Sequence, residues 1–166
     1  SSHGSLRRLD MSISIRRMAS GVDSIQLHRV FYVSRTLLQD DYDIQKIVQA
    51  SRTHNPARNV TGALAFSGDH FAQLLEGPQP ALEALLTSIR RDPRHSVLWQ
   101  WPIAPAAERW YPSWWMGYLY NDRLEDVVRK LSEVAPSLPK LETFVPALFS
   151  TSRLNRRSQT PPLPRA

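Results

Sequence analysis

The residues able to do chemistry are few in this chain, and the most conspicuous is Gln73 in the run Phe71-Ala72-Gln73-Leu74-Leu75-Glu76-Gly77. Read as a strand, the run puts Phe71, Gln73 and Leu75 on one face and Ala72 and Leu74 on the other. A buried primary amide without a partner costs about 1–3 kcal/mol, so something must bond to it. Glutamine donates and accepts at once, and the two ends of its amide can exchange places. Structural and functional readings of Gln73 stand level on the residues alone. Tyr32 lies on the inward face of another apolar run, where the plain reading is a core tyrosine with its hydroxyl tied to backbone. His54-Asn55, just ahead of Pro56, has the plain reading of a helix C-cap. Asp92, Arg94 and His95 follow a helical stretch, as a solvated loop or as a polar ligand contact. The run Trp110-Tyr111-Pro112-Ser113-Trp114-Trp115-Met116 holds three of the five tryptophans. On a strand, Trp114 and Met116 share a face and Trp115 looks the other way; aromatic core is the default.

Several chemistries are excluded by what is missing. The chain has no cysteine, so it has no disulfide, thiolate or cysteine–metal chemistry. Gly62, Gly68 and Gly77 are not spaced as a phosphate loop, and His54, His70 and His95 do not pair at metal-ligand spacing. No serine occupies a nucleophile elbow. Most acids read as solvated or helix-capping, which leaves no carboxylate for acid–base work in an apolar site. The net charge of +6 suggests nucleic acid until its distribution is examined: residues 1–26 carry +2, residues 151–166 carry +4, and residues 27–150 are neutral. The folded body therefore lacks a phosphate-tracking groove, and the basic-glycine-aromatic signature of an RNA-binding sheet is absent. No direct nucleic-acid binding is expected.

The elements that must position these residues follow from periodicity. A first strand runs from about Gln26 to Ser34, with Val30, Tyr32 and Ser34 on one face and Phe31 and Val33 on the other. Asp40, Asp41 and Asp43 precede Ile44, Ile47, Val48 and Ser51, which have helical spacing, and Pro56 is expected to stop that helix. Strands at Val60–Ser67 and His70–Leu75 join through Gly68-Asp69. Pro80 opens a second helix with Leu82, Leu85, Leu86 and Ile89 as its apolar stripe. Strands are expected at about Val97–Ile103 and Arg109–Leu119, limited to edges or bulges by Pro102, Pro105 and Pro112. A third helix opens at Asn121-Asp122, and a fourth short one spans Lys140–Leu148. The order βαββαββ predicts a ferredoxin-like α+β sandwich, a mixed five-stranded sheet with two covering helices, plus a C-terminal helical pair. The expected divisions are a leader at 1–25, opening on an expression scar at Ser1–Ser5, a domain at 26–120, a helical extension at 121–150 and a basic, proline-rich tail at 151–166. With no run long enough to span a bilayer and no secretory leader pattern, the expectation is a cytoplasmic protein without membrane partners.

Five motifs in order resemble the BLUF family, blue-light sensors using flavin. They are Phe31-Tyr32-Val33-Ser34-Arg35; Ser51-Arg52-Thr53-His54-Asn55-Pro56-Ala57 leading into Val60-Thr61-Gly62-Ala63-Leu64; Phe71 to Gly77; Arg91-Asp92-Pro93-Arg94-His95; and Trp114-Trp115-Met116. The resemblance covers about residues 27–120. It implies a non-covalently held flavin: FAD, with FMN or riboflavin as the other candidates. By the same resemblance Tyr32 is the light-sensing tyrosine and Gln73 the glutamine that bridges it to the ring. Trp114 and Met116 complete the photoactive switch. Ser51, His54, Asn55, Asp92, Arg94 and His95 join Tyr32 and Gln73 in cofactor binding, the ring lying between helices 42–54 and 80–92. The family's chemistry is a signal and not turnover, so the chain is expected not to be an enzyme. Light-driven electron and proton transfer from Tyr32 would rearrange the hydrogen bonds of Gln73, and the change would leave through the fifth strand and the C-terminal helices.

The resemblance further implies a short, stand-alone member acting on a downstream protein partner or through its own homo-oligomer, with an unpaired sheet face or edge as the physical reason. Two other readings remain at this level: a cofactor-free ferredoxin-like interaction module, and a flavin-dependent oxidoreductase.

Overall fold

The computed structural model describes residues 26–37 and 41–150. The expected leader and tail, and Asp40, lie outside them. Strand β1 is Leu27–Thr36, helix α1 Asp41–Arg58, β2 Thr61–Phe66, β3 His70–Pro78, α2 Gln79–Arg91, β4 His95–Gln100, β5 Ala104–Pro105 and β6 Gly117–Tyr120. Helix α3 (Leu124–Val134), a 3-10 turn (Leu141–Thr143) and α4 (Val145–Leu148) complete the described chain. The strands form one mixed sheet in the order β4-β1-β3-β2-β6, with the two-residue β5 also pairing with β1. β1, β3 and β2 are antiparallel neighbours, and β6 runs parallel to β2. This is the ferredoxin-like α+β sheet, with one short strand more than the sequence predicts.

Alternation along the strands sorts side chains onto two faces. Val30, Tyr32, Leu64, Phe66, Phe71 and Leu75 look toward Ile44 and Val48 of α1 and Leu82 and Leu86 of α2. Phe31, Val33, Ala63, Ala65, Ala72 and Leu74 look the other way. That second face is not open. Leu124 and Leu131 of α3, Val145 and Leu148 of α4, and Phe149 cover it, so among the described residues this sheet face is not the unpaired one offered as one of two reasons for self-association. Three alanines on this face give room for an aromatic cluster in which Phe31, Trp101 and Phe144 lie 5.1–5.6 Å apart. Asn121 pins the cover down: its Nδ2 donates to the Leu148 carbonyl (2.9 Å) and its Oδ1 accepts from the Arg123 amide.

Two elements differ from the sequence expectation. Helix α1 passes through Pro56 and ends at Arg58. Pro56 sits in the last turn, where its missing N–H forgoes only the bond to the Arg52 carbonyl. The helix then closes at Asn59, in the left-handed region (φ 56°), with Asn59 N bonded to Pro56 O and Val60 N to Asn55 O. This double bond pattern satisfies the last carbonyls, and asparagine tolerates the conformation. The cap is therefore four residues beyond Asn55.

The expected strand at Arg109–Leu119 shrinks to Gly117–Tyr120. Its missing half is a strap whose Trp110 and Tyr111 amides donate to the carboxylate of Glu76 at 2.9 Å and not to a neighbouring strand. Glu76 is fully buried and also accepts from Arg29 Nη2 at 2.8 Å. A buried carboxylate survives when it is paired and hydrogen-bonded throughout. Sequence reasoning missed it, taking the acids as solvated.

Candidate functional site

β1 and β3 pair so that Tyr32 stands directly opposite Gln73. Cross-strand neighbours project onto the same face, here the face covered by α1 and α2. The helices do not close over it. They leave a narrow cleft with about 150 Å³ of free space and with Tyr32 and Gln73 in its floor. Ile47, Ala50 and Ser51 of α1 line one side. Leu85, Ser88 and Ile89 of α2 line the other. The walls are thus mainly aliphatic, while amides and a phenol sit at the base.

Tyr32 and Gln73 are 3% and 5% exposed. The Tyr32 hydroxyl donates to Gln73 Oε1, and Gln73 Nε2 donates to the sulfur of Met116 at 3.4 Å. Burial, reinforced by the charge of Asp92, pushes the Tyr32 phenol well above its ordinary value, so it is held as the neutral O–H. A thioether is a weak acceptor; the amide nitrogen can therefore be redirected at small cost, whereas the amide oxygen is firmly held.

Asn55, 2% exposed, donates through Nδ2 to the Trp115 carbonyl at 2.7 Å, which leaves its oxygen as the end able to meet an incoming donor. At the mouth, Asp92 and Arg94 form a bidentate pair with bonds of 2.5–3.0 Å. The Arg94 bond holds the Asp92 carboxyl below its usual range against the opposing effect of burial. His95 is fixed at both nitrogens, with Nε2 2.6 Å from the Ile89 carbonyl and Nδ1 2.7 Å from Ser34 Oγ. A carbonyl only accepts, so Nε2 carries the proton and Nδ1 accepts from Ser34. Burial lowers the His95 value, outweighing the Ile89 bond that raises it, and favours this neutral ring. Its ring centroid lies 5.0 Å from that of Phe71.

Tyr32, Ser51, Asn55, Gln73, Asp92, Arg94 and His95 all line the one cleft. His54 does not; it is exposed on α1, turned from the slot that its neighbour Asn55 faces. Trp114 and Met116 part company. Met116 is 2% exposed in the helix-side core against Gln73. Trp114 packs on the opposite face, stacked on Tyr111 at 5.2 Å. They part because this stretch is strap, not strand, so alternation no longer applies to it. Its indole also fills the space above residue 117, where a Cβ would stand 2.0 Å from the ring; only glycine fits. The α2 lining was visible as an apolar stripe but indistinguishable there from ordinary core. Arg52, whose Nε donates to the Met116 carbonyl at 2.9 Å, carried no sequence signal of its own.

The donor set suits a flat, amide-edged heterocycle: aliphatic walls for its faces, reversible amides for its polar edges, and a cation at the mouth for an anionic tail. Together the fold and this floor define a small-molecule-binding module. The family model described as "Sensors of blue-light using FAD" (BLUF) matches residues 27–117. The chain belongs to the BLUF family, whose domains are flavin-binding blue-light sensors.

The photoactivated adenylate cyclase subunit beta of Euglena gracilis is 32% identical over 92% of this chain, which spans only 19% of that protein's length. The dark-state structure of the BLUF protein BlrB is 33% identical, with a TM-score of 0.60, covering 72% of this chain and 92% of that one. Klebsiella pneumoniae BlrP1 with FMN and cyclic diGMP is 29% identical, with a TM-score of 0.52, over 62% of this chain and 30% of the other. No helix of the described residues is long and apolar enough to cross a membrane.

Proposed function

We propose that this chain is a light-sensing module that acts by changing hydrogen bonds and not by turnover, with Tyr32, Gln73 and Met116 as its switch. The single observation that carries the reading is the buried bond from the Tyr32 hydroxyl to Gln73 Oε1, with the other end of the same amide resting on sulfur. When bound, the flavin supplies blue-light absorption and an acceptor for one electron. The residues do the rest. Tyr32 gives up electron and proton together, because burial disfavours a phenolate. The proton leaves along the existing bond toward Gln73 Oε1. On its return the amide can settle with its ends exchanged, its nitrogen toward Tyr32 and its oxygen released from that bond. Met116 loses its donor in that state.

Ser51 and Asn55 would hold the polar edge, Asn55 Oδ1 accepting from an imide N–H, and Arg94 would trade Asp92 for an anionic tail. Asp92 and His95 would set that end, and FAD, FMN and riboflavin differ only there. Trp114 would then report the change to the far face, without touching the ring, and His54 has no role in binding. The cleft is not filled by side chains, which counts against a cofactor-free module. Its one carboxylate is engaged by Arg94, which counts against an oxidoreductase. The sensing unit would be residues 26–120 and the output element 121–150, delivering to a partner protein in the cytoplasm or to a second copy, the latter through the edge strand β4 or the outer surface of α3.

An absorption spectrum tests this. The purified protein should be yellow and should shift reversibly to the red under blue light. Tyr32→Phe and Gln73→Leu should bind flavin and lose the shift. A colourless protein that stays so with added flavin, or a normal photocycle in Gln73→Leu, would refute the reading.

A further inference from the structure

Arg52 is a half-buried cation with no anion paired to it. It lies on α1 four residues after Val48 and eight after Ile44, both fully buried, so its stem follows the core side of the helix. Nε donates to the Met116 carbonyl at 2.9 Å, while Nη2 is buried with no hydrogen-bond partner. Arg52 takes part in none of the ion pairs Arg29–Glu76, His70–Glu125, Arg94–Asp92 and Arg129–Asp126. Burial lowers its affinity for the proton. An unsatisfied buried donor in a well-packed fold calls for an explanation.

The explanation lies in what Arg52 holds. Met116 is gripped at both ends, its side chain by Gln73 and its backbone by Arg52. One helical turn on, Asn55 grips the preceding carbonyl, that of Trp115. We propose that Arg52 is a positioning residue that sets where Met116 stands against Gln73, and that its spare donor lets this grip pass to another carbonyl when Met116 is released. The guanidinium fork has the geometry for such a handover, since its donors are parallel and rigidly spaced. A lysine keeps the charge and one donor; a methionine keeps the stem and neither.

This inference rests on the light-sensing function proposed above, but its first readout does not. With the methionine methyl groups 13C-labelled and the Met116 resonance assigned by Met116→Leu, Arg52→Met should move that resonance in the dark, and Arg52→Lys should move it less. Replacing a half-buried, ill-paired charge by an apolar side chain of similar length should leave the melting temperature unchanged or raised, which separates positioning from mere structural support. In the same proteins, recovery after blue light should change by about fivefold or more in Arg52→Met, the size of one lost hydrogen bond, and should largely be restored in Arg52→Lys. A Met116 resonance unmoved in Arg52→Met, or a recovery time within about twofold of the parent, overturns the proposal, as does a lowered melting temperature in Arg52→Met that Arg52→Lys restores in step with the recovery. A parent protein without any light response would overturn the function and leave the methyl result to decide the role of Arg52.

Discussion

Gln73 and Glu76 lie three residues apart on one strand, on opposite faces of the sheet, and have opposite fates. Glu76 is fully buried, and its carboxylate accepts from Arg29 and from two backbone amides of the strap. Arg29 in turn lies 3.6 Å over the ring of Trp110. Around it, Arg109 donates to Thr61 Oγ1, to the Glu76 carbonyl and to Asn59. Every bond there is charge-assisted or multiply supported, so no second arrangement competes. Gln73 has one firm partner and one weak one, beside a cleft that leaves room to turn. The same strand thus carries a fixed point and a movable one, and alternation keeps them in different layers. A switch needs both, because a hydrogen bond can shift a structure between two states only if the rest of the sheet does not yield.

The contrast is broken most directly at its fixed end. Glu76→Ala leaves Arg29 and two amides without their acceptor in a buried place, and should cost about 3–5 kcal/mol by urea unfolding, as removal of one partner from a buried pair does. Gln73→Leu should cost no more than about 1–3 kcal/mol, the amide being replaced by an apolar group that strands only the Tyr32 hydroxyl. Equal losses in the two variants would mean that Gln73 is scaffold too.

How much of this was legible in the sequence divides along the same line. Gln73 betrayed itself by being polar between Phe71 and Leu75. Tyr32 followed from strand alternation, and the cleft residues Ser51, Asn55, Asp92, Arg94 and His95 from the family motifs. Glu76 was invisible because one strand's pattern cannot reveal that a strap 34 residues later brings two amides to it. Trp114 was placed beside Met116 because strand periodicity was extended over that strap. The amides that should have been in the ladder go instead to a side chain, and no local propensity encodes that. The closing of the far face was missed for a similar reason: α3 and α4 were readable as amphipathic, but not the layer they cover.

A smaller perturbation sharpens the movable end. Met116→Leu conserves volume and should cost less than about 1.5 kcal/mol, yet it deprives Gln73 Nε2 of its sulfur acceptor. The expected outcome is near-parental thermal stability with an altered flavin band position and an altered rate of dark recovery. A Leu variant with an unchanged photocycle would show that the weak N–H···S contact plays no part in holding the amide.

The smallest effect tests whether the far-face cover is as fixed as Glu76. Glu125 of α3 accepts from Ser67 Oγ at 2.5 Å and bonds His70 Nδ1 at 2.8 Å, clipping that helix to the β2–β3 hairpin. Burial pushes the Glu125 carboxyl up, but the bonds from Ser67 and His70, with the charge of His70, bring it below its ordinary value of 4.5. A carboxyl lowered by folding contributes stability that is fully present above its unfolded value and is lost as pH falls through its folded one. Glu125→Gln should therefore be slightly less stable than the parent at neutral pH, and the two unfolding curves should converge as pH drops below about 4.5. The side chain is 39% exposed, so solvent screening keeps the difference within about 1 kcal/mol. The decisive measurement is the photocycle at neutral pH in the same variant. If recovery is unchanged, the clip belongs with Glu76 among the fixed points. If it changes, α3 is moving with the switch, and the division between the two faces gives way at this helix.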